Sequence, residues 1–117
     1  MLGFAPGARV YLALGSTDMR KSINGLSLLV ASQLDRDALS GHVFVFCNRS
    51  RTILKALYWD HNGFALWQKR LERDRFRWPE TAREVLEVSP RQLQWLLSGL
   101  EVEQTKSHKE LRYSCTY

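Results

Sequence analysis

Asn62-Gly63 lies between two runs rich in aromatic and aliphatic residues, and this pattern constrains the fold more than any other feature of the chain. An Asn-Gly pair in that setting is the strongest short-range signal for a β-hairpin. Residues 52–59 and 64–71 are therefore predicted to be antiparallel strands joined by a turn at 60–63. Residues 42–47, just before them, are mostly β-branched and aromatic, which is typical of a central strand buried on both faces.

Further elements are predicted on either side of this hairpin. An apolar stripe with steps of three and four predicts an amphipathic helix that starts near Asp18 and includes Met19, Ile23, Leu26, Val30 and Leu34. Ser89, Pro90 and Gln92 match a helix start with a capping box, and Gly99 is the predicted stop. Short strands are predicted at 9–14, 75–78 and 84–88. The predicted fold class is α+β: an antiparallel meander sheet of about five strands, with an N-terminal amphipathic helix and a C-terminal helix.

The length of 117 residues suits one domain. Residues 1–100 are predicted to form it, and the polar residues 101–117 to be a flexible C-terminal tail. Because so short a chain buries a modest share of its surface, association into a homo-oligomer is an open alternative. Cys47 and Cys115 lack the spacing of a disulfide framework, and no apolar run is long enough to span a membrane. The sequence therefore predicts a cytoplasmic protein with no membrane partner.

The positive charge of the chain is concentrated in its middle third. The whole chain carries 17 Lys and Arg against 12 Asp and Glu, a net charge of +5. Residues 49–83 hold nine basic and four acidic side chains, which is also +5, while 1–48 and 84–117 carry +1 and −1. Such a local excess suits a polyanionic partner, with DNA first. A salt-bridged, solvated hairpin face is the competing interpretation.

Alternation along residues 67–78 predicts how the arginines are presented. Apolar side chains such as Trp67, Phe76 and Trp78 share one face of the ribbon, and the other face carries arginines that can meet phosphates or guanine edges. The predicted DNA-binding residues are Arg49, Arg51, Lys55, Lys69, Arg70, Arg73, Arg75 and Arg77.

A second set of residues is predicted to contact either DNA or a protein partner. Arg20 and Lys21 sit at the predicted helix start, where a cation opposes the helix dipole, so a functional contact is one interpretation and an ion pair with Asp18 is the other. Tyr58, Trp59 and Trp67 are candidate interface anchors, with a place in the sheet core as the alternative.

Catalytic chemistry finds little support in the sequence. His42, His61 and His108 are scattered, neither cysteine belongs to a Cys-x-x-Cys pair, and no nucleophile elbow or phosphate loop is present, so no metal or cofactor is predicted. A recombinase-type carboxylate set could be assembled from Asp18, Asp60 and a glutamate. Helix-start and turn chemistry explain both aspartates better. The chain is predicted not to be an enzyme.

Several motifs in fixed order resemble one known family. They are Thr17-Asp18-Met19-Arg20-Lys21 with Asn24-Gly25-Leu26, Phe44 to Arg49, Leu57-Tyr58-Trp59-Asp60 with Asn62-Gly63-Phe64, Lys69-Arg70-Leu71-Glu72, Arg75-Phe76-Arg77-Trp78-Pro79, and Ser89 to Gly99. Together they are similar to the TnpB accessory proteins of IS66-type insertion sequences, over about residues 9–100. Asp74 stands where that family usually has Gly, a substitution that a turn tolerates because Asp adopts a left-handed backbone.

The resemblance implies an accessory protein that is encoded beside a separate transposase and required for transposition. It implies no catalytic activity of its own, and it supplies no catalytic residues to transfer. The expected partners are DNA of the element ends or the target, and the transposase of the same element. A protein–protein adaptor that docks on the transposase without touching DNA is the alternative function.

Overall fold

A computed structural model describes residues 7–103 of the chain. Within them a five-stranded sheet carries two helices. In chain order the elements are β1 (Val10–Ala13), α1 (Ile23–Ser32), β2 (Val43–Cys47), β3 (Ile53–Asp60), β4 (Gly63–Arg70), β5 (Val85–Val88) and α2 (Pro90–Leu97). The strand order is β4-β3-β2-β1-β5. The α+β class is thus confirmed.

The β2–β3–β4 part of the sheet is the antiparallel meander that the turn signals predict. Asp60 pairs with Gly63, so His61 and Asn62 are the two loop residues, and His61 takes the positive φ of 62° that the tight turn requires. All five residues of β2 are buried, which confirms the predicted central strand. Local turn chemistry is sufficient to set this part of the topology.

The prediction of a meander throughout is wrong at the other half of the sheet. β1 pairs with β2 in parallel, with Val10 opposite Val43, and β5 pairs antiparallel with β1. The sheet is therefore mixed. Parallel neighbours need a long crossover connection, which the segment containing α1 supplies here, and alternation within a strand does not reveal the direction of its partner.

The first helix is shorter than the apolar stripe predicts. It begins at Ile23, after Ser22, and not near Asp18. The carboxylate of Asp18 instead accepts hydrogen bonds from the backbone N–H and the guanidinium of Arg20, which makes a local turn ahead of the helix. Leu26 and Val30 are the buried residues of α1.

The predicted strand at residues 75–78 does not form. We call residues 71–84 the crossing segment, because they lead from β4 at one edge of the sheet to β5 at the other. The segment is held by backbone and side-chain bonds rather than by a ladder: Phe76 N–H donates to the Arg51 carbonyl at 2.8 Å, and Trp78 Nε1 donates to the Ala13 carbonyl at 3.2 Å. Asp74 adopts φ 64°, the left-handed backbone expected of it.

The sheet has an apolar core on each face. On one face, Phe76 and Trp78 pack with α2 residues such as Leu93 and Leu96; on the other, α1 packs with residues such as Phe44. Helix α2 begins with the predicted capping box between Ser89 and Gln92, and Gly99 follows it at φ 86°.

The predicted C-terminal tail lies largely outside the described residues. Of residues 101–117, the structure describes 101–103. Val102 is 8% exposed and belongs to the core on the α2 face. Cys115 lies outside the described part of the chain.

Candidate nucleic-acid interface

The sheet topology gathers three basic segments at one end. β1 and β2 run in parallel and end together, Cys47 lies opposite Leu54, and Ala13 lies opposite Val85. The loop 14–22, the turn 48–52 and the crossing segment therefore share one end of the sheet, which we call the basic rim. They carry eight basic and five acidic side chains. Direct contacts join them, since Arg51 Nη1 donates to the Gly15 carbonyl at 3.4 Å and Phe76 N–H donates to the Arg51 carbonyl at 2.8 Å.

The crossing segment presents arginines at every second position. Arg73, Arg75 and Arg77 are exposed, while Phe76 and Trp78 are 2% and 6% exposed. The predicted alternation is therefore present, although the strand that was expected to produce it is not. Extended backbone alternates its side chains whether or not it is paired, and the burial of two aromatic rings sets which side faces the core.

Of the three arginines in this row, Arg73 and Arg75 are the most available. Among residues 7–103 neither side chain has a hydrogen-bond or ion-pair partner. Arg77 reaches the Glu101 carboxylate at 3.6 Å, with both side chains 63% exposed. An ion pair this open to solvent contributes about 0–1 kcal/mol, so it does not prevent Arg77 from exchanging a carboxylate for a phosphate.

Two further arginines border this row. Arg49 is exposed in the turn 48–52 and has no side-chain partner in the described part of the chain. Arg70, at the end of β4, pairs with the exposed Glu72 at 3.1 Å. The competing interpretation, that the arginines pair with carboxylates, therefore holds for Arg70 and Arg77 but not for Arg49, Arg73 and Arg75.

Arg51 is held in place by contacts within the protein. Its Nη1 donates to the carbonyls of Gly15 at 3.4 Å and Asn48 at 3.3 Å, and its guanidinium lies 5.9 Å from the centre of the Trp78 ring. Its backbone takes φ 62° while its carbonyl accepts from Phe76. Arg51 thereby joins the three segments of the basic rim, which makes it a positioning residue for the arginines beside it.

Both predicted lysines donate to backbone carbonyls within the protein. Lys55 is 8% exposed, and its Nζ donates to the carbonyls of Met19 and Lys21 at 2.9 Å each. Lys69 is half-buried and donates from Nζ to the Leu97 carbonyl at 2.9 Å, at the carboxyl end of α2, where a cation is favourable. Both ammonium groups satisfy backbone carbonyls, so a contact of either with DNA is not supported.

The loop before α1 contains the other two predicted cations. The guanidinium of Arg20 holds the Asp18 carboxylate with Nε at 3.0 Å and Nη2 at 2.6 Å. These hydrogen bonds hold the pKa of Asp18 well below its usual range. The ion-pair interpretation of Arg20 is therefore the one found, while Lys21 is exposed beside it.

The aromatic candidates lie away from the arginines, on the hairpin β3–β4. Tyr58 and Trp67 are half-buried against the core on the α2 face. Trp59, also half-buried, packs edge-on against Phe64 on the opposite face, with ring centres 5.1 Å apart. These three aromatic residues therefore contribute to the sheet core only in part, since each is neither fully buried nor fully exposed.

Arg83 lies in the basic rim but is not among the DNA-binding residues predicted from the sequence. It is exposed and lines a small surface groove with Gly15, Ser16 and Thr17. It belongs to the charge excess of residues 49–83, but it lies beyond the predicted hairpin and therefore was not assigned to the site.

The described residues offer little for metal or thiol chemistry. Residues 7–103 contain no group of three or more His, Cys, Asp or Glu that could hold a metal ion. Burial raises the pKa of the Cys47 thiol to about 11, which makes it a poor nucleophile at neutral pH. No helix in the same part of the chain is both long enough and apolar enough to cross a membrane.

These features define a small basic α+β domain whose distinguishing surface is a row of arginines at one end of its sheet. Residues 8–107 match the family described as IS66 Orf2 like protein, and the chain belongs to that family. Membership confirms the resemblance read from the motifs, and it associates the chain with an accessory role in transposition of an insertion sequence.

Two relatives come from Sinorhizobium fredii (strain NBRC 101917 / NGR234). The chain is 42% identical to "Uncharacterized protein y4hO" over 101 residues, covering 86% of this chain and 88% of the relative. It is 35% identical to "Uncharacterized protein y4jC" over 106 residues, covering 91% of each. No solved structure matches the chain.

Proposed function

We propose that the protein is a non-catalytic accessory factor that binds DNA of its insertion sequence through the basic rim and acts in the cytoplasm beside a separate transposase. Arg73 and Arg75 are the principal contacts, with Arg49, Arg77 and Arg83 around them. The observation that carries the proposal is that two exposed arginines without carboxylate partners in residues 7–103 stand on a segment fixed by buried Phe76 and Trp78.

Fixing the segment matters because binding energy is lost when flexible groups must be ordered. Two aromatic anchors and the Phe76–Arg51 backbone bond hold the segment that carries Arg73, Arg75 and Arg77. Each guanidinium can replace condensed counterions at a phosphate, and this interaction is independent of base sequence. The proposal therefore specifies a phosphate-binding surface and leaves sequence recognition to other contacts.

A salt series of gel shifts with duplex DNA of the element ends tests this function. Arg73→Glu with Arg75→Glu reverses two rim charges, and we expect it to abolish binding at moderate salt. Arg91→Glu is the matched control for Arg75→Glu alone, because each reverses one exposed arginine and Arg91 lies in the first turn of α2, outside the basic rim. Equal weakening by Arg75→Glu and Arg91→Glu would contradict the proposal, since only a nonspecific loss of net charge would then be at work.

The adaptor alternative has its own observation, the incompletely buried Trp59 and Trp67 on the hairpin. It predicts that Trp67→Ala abolishes co-purification with the transposase while the protein stays folded and its DNA shift is unchanged. The adaptor function is favoured over DNA binding if the wild type co-purifies with the transposase but shows no DNA shift at low salt, and Trp67→Ala abolishes that co-purification.

The non-catalytic part of the proposal is tested separately. A divalent-metal cleavage assay on element-end DNA should show no product above background. Asp18→Ala and Asp60→Ala should support transposition as the wild type does. A cleavage product that disappears in either variant would overturn this part.

A further inference from the structure

Within residues 7–103, the outer edge of strand β4 is open, long and poorly protected. Among the described residues β4 pairs only with β3, and its eight residues form an unbroken register from Gly63 to Arg70. Its first five residues carry no charge, no proline and no bulge. The opposite edge strand, β5, has four residues, includes Glu87 and is followed by Pro90. Short length, charge and proline are the usual protections of a sheet edge. The β5 edge has all three, so β4 is the edge that can pair with another strand.

The hydrogen-bond pattern shows which residues of β4 point outward. Leu71 N–H donates to the Thr52 carbonyl on the β3 side. Backbone groups alternate in direction along an antiparallel strand, so the odd-numbered residues of β4 bond to β3. The N–H and C=O groups of the even-numbered residues, Phe64, Leu66, Gln68 and Arg70, therefore face the open edge.

We propose that a second copy of this chain pairs its own β4 with this edge in antiparallel fashion, about a two-fold axis at Trp67. Phe64 then lies opposite Arg70 of the second copy, Leu66 lies opposite Gln68, and the two Trp67 residues face each other. The two sheets become one continuous ten-stranded sheet, given five strands in each copy. This inference goes beyond DNA binding and does not depend on it.

The register follows from the positions of the outward-facing groups. Antiparallel strands bond only where outward-facing residues lie opposite one another, and a two-fold axis at Trp67 satisfies all four of them on each strand. It also places the Trp67 pair at a non-hydrogen-bonded position, where facing side chains come closest. Cross-strand aromatic pairs at such positions are among the stabilising pairs of β-sheets.

Charge favours this arrangement over a parallel one. Lys69 and Arg70 are the charged residues of β4, and both lie at its carboxyl end. Parallel pairing would place these cations beside their own copies, whereas antiparallel pairing separates them by the length of the strand. It also brings Arg70 of the second copy to the face of the sheet where Trp59 and Phe64 pack edge-on. A guanidinium beside aromatic rings is a favourable contact.

The self-complementary register is the reason to choose a second copy over a strand of the transposase. When a second β4 runs in the opposite direction, its cationic end lies opposite the uncharged Gly63 and Phe64 of the first, so like charges do not meet. The two-fold places the two basic rims at opposite ends of the shared sheet. If the rims bind DNA as proposed above, one dimer can hold two DNA segments.

Disulfide trapping tests the register directly. In a Cys115→Ser background, Trp67→Cys should cross-link two chains under mild oxidation, since facing residues at this position have Cα atoms about 4.5 Å apart. Ala65→Cys is the control: Ala65 faces Lys69 of the second copy, so its two copies lie more than about 13 Å apart and should not cross-link. Equal cross-linking of both variants would overturn the register.

Sedimentation velocity of the full chain tests the dimer without touching Trp67. The wild type should show a monomer–dimer equilibrium. Gln68→Pro should weaken association roughly thirtyfold, because it removes one outward N–H donor from each of two symmetry-related bonds while leaving the bonds to β3 intact. Gln68→Thr should dimerise like the wild type.

A wild-type chain that stays monomeric at all concentrations and gives no Trp67→Cys cross-link would overturn the proposal, and so would a cross-link from Trp67→Cys to the transposase alone. Arg73→Glu with Arg75→Glu should dimerise normally. Failure of DNA binding and failure of dimerisation are therefore separate results.

Discussion

Neutralising Arg73 and Arg75 should change the salt dependence of DNA binding by a calculable amount. Both guanidinium groups are exposed and have no partner among residues 7–103, so their removal breaks no internal contact there. The slope of log K against log salt is about −0.9 for each phosphate neutralised in B-DNA. Arg73→Ala with Arg75→Ala should therefore reduce the steepness of the slope by about 1.8.

The same relation gives the loss of affinity. At about 0.1 M salt each lost phosphate contact lowers the binding constant roughly eightfold, and the pair lowers it about sixtyfold. Fluorescence anisotropy of a labelled element-end duplex, titrated at several salt concentrations, measures both quantities. Circular dichroism of the variant should match the wild type, because neither arginine contributes to the core.

Arg91→Ala provides the matched comparison, since it removes an equally exposed arginine from α2 and leaves the basic rim unchanged. Its slope should stay within error of the wild type. Arg73 and Arg75 are not phosphate contacts if the double variant keeps the wild-type slope, or if Arg91→Ala alone reduces the slope as much per residue as the double variant does.

Further outcomes follow from the packing. Lys55→Met should lower the free energy of unfolding by about 2–3 kcal/mol in urea titrations, because two partly buried hydrogen bonds from Nζ to backbone carbonyls are lost. Trp78→Phe should lower the free energy of unfolding by about 1–2 kcal/mol, because the hydrogen bond to the Ala13 carbonyl is lost. If the crossing segment contacts DNA, Trp78→Phe should also weaken DNA binding more than Lys55→Met does. In a Cys115→Ser background, mass spectrometry should find Cys47 unalkylated at pH 8 and fully alkylated in denaturant. The raised pKa of Cys47 also makes stability depend on pH. Between pH 9 and about 11 the thiol ionises in the unfolded state before it does in the folded state, so the free energy of unfolding should fall with rising pH relative to Cys47→Ala.

Local signals predicted the part of the fold that depends on neighbouring residues. The hairpin β3–β4, the buried strand β2 and the capped start of α2 all follow from turn, strand and cap preferences within a few residues. The predicted meander failed at β1, where the partner strand is reached only through a helix-containing crossover. The direction of a distant partner leaves no trace in the alternation of one strand.

The predicted strand at 75–78 is a second case in which alternation within a segment did not reveal its partner. Alternation of Arg75, Phe76, Arg77 and Trp78 correctly separated exposed from buried side chains. It did not establish a hydrogen-bonded partner, because the two aromatic residues pack into the core near Ala13 and Arg51, away from the outer edge of β4. Among the described residues this packing leaves the outer edge of β4 unpaired, and the proposed dimer depends on that edge.

The sequence by itself determined that the chain is basic in its middle third, that its arginines alternate with aromatic residues, and that its motifs are those of the IS66 Orf2 like family. The tertiary structure alone decided which cations remain available. Lys55 and Lys69 bond to carbonyls 28 or more residues away in the chain, whereas Arg73 and Arg75 have no such partner in the described residues. A side chain carries the same charge in any fold, but the groups that compete for it are assembled only when distant segments pack together.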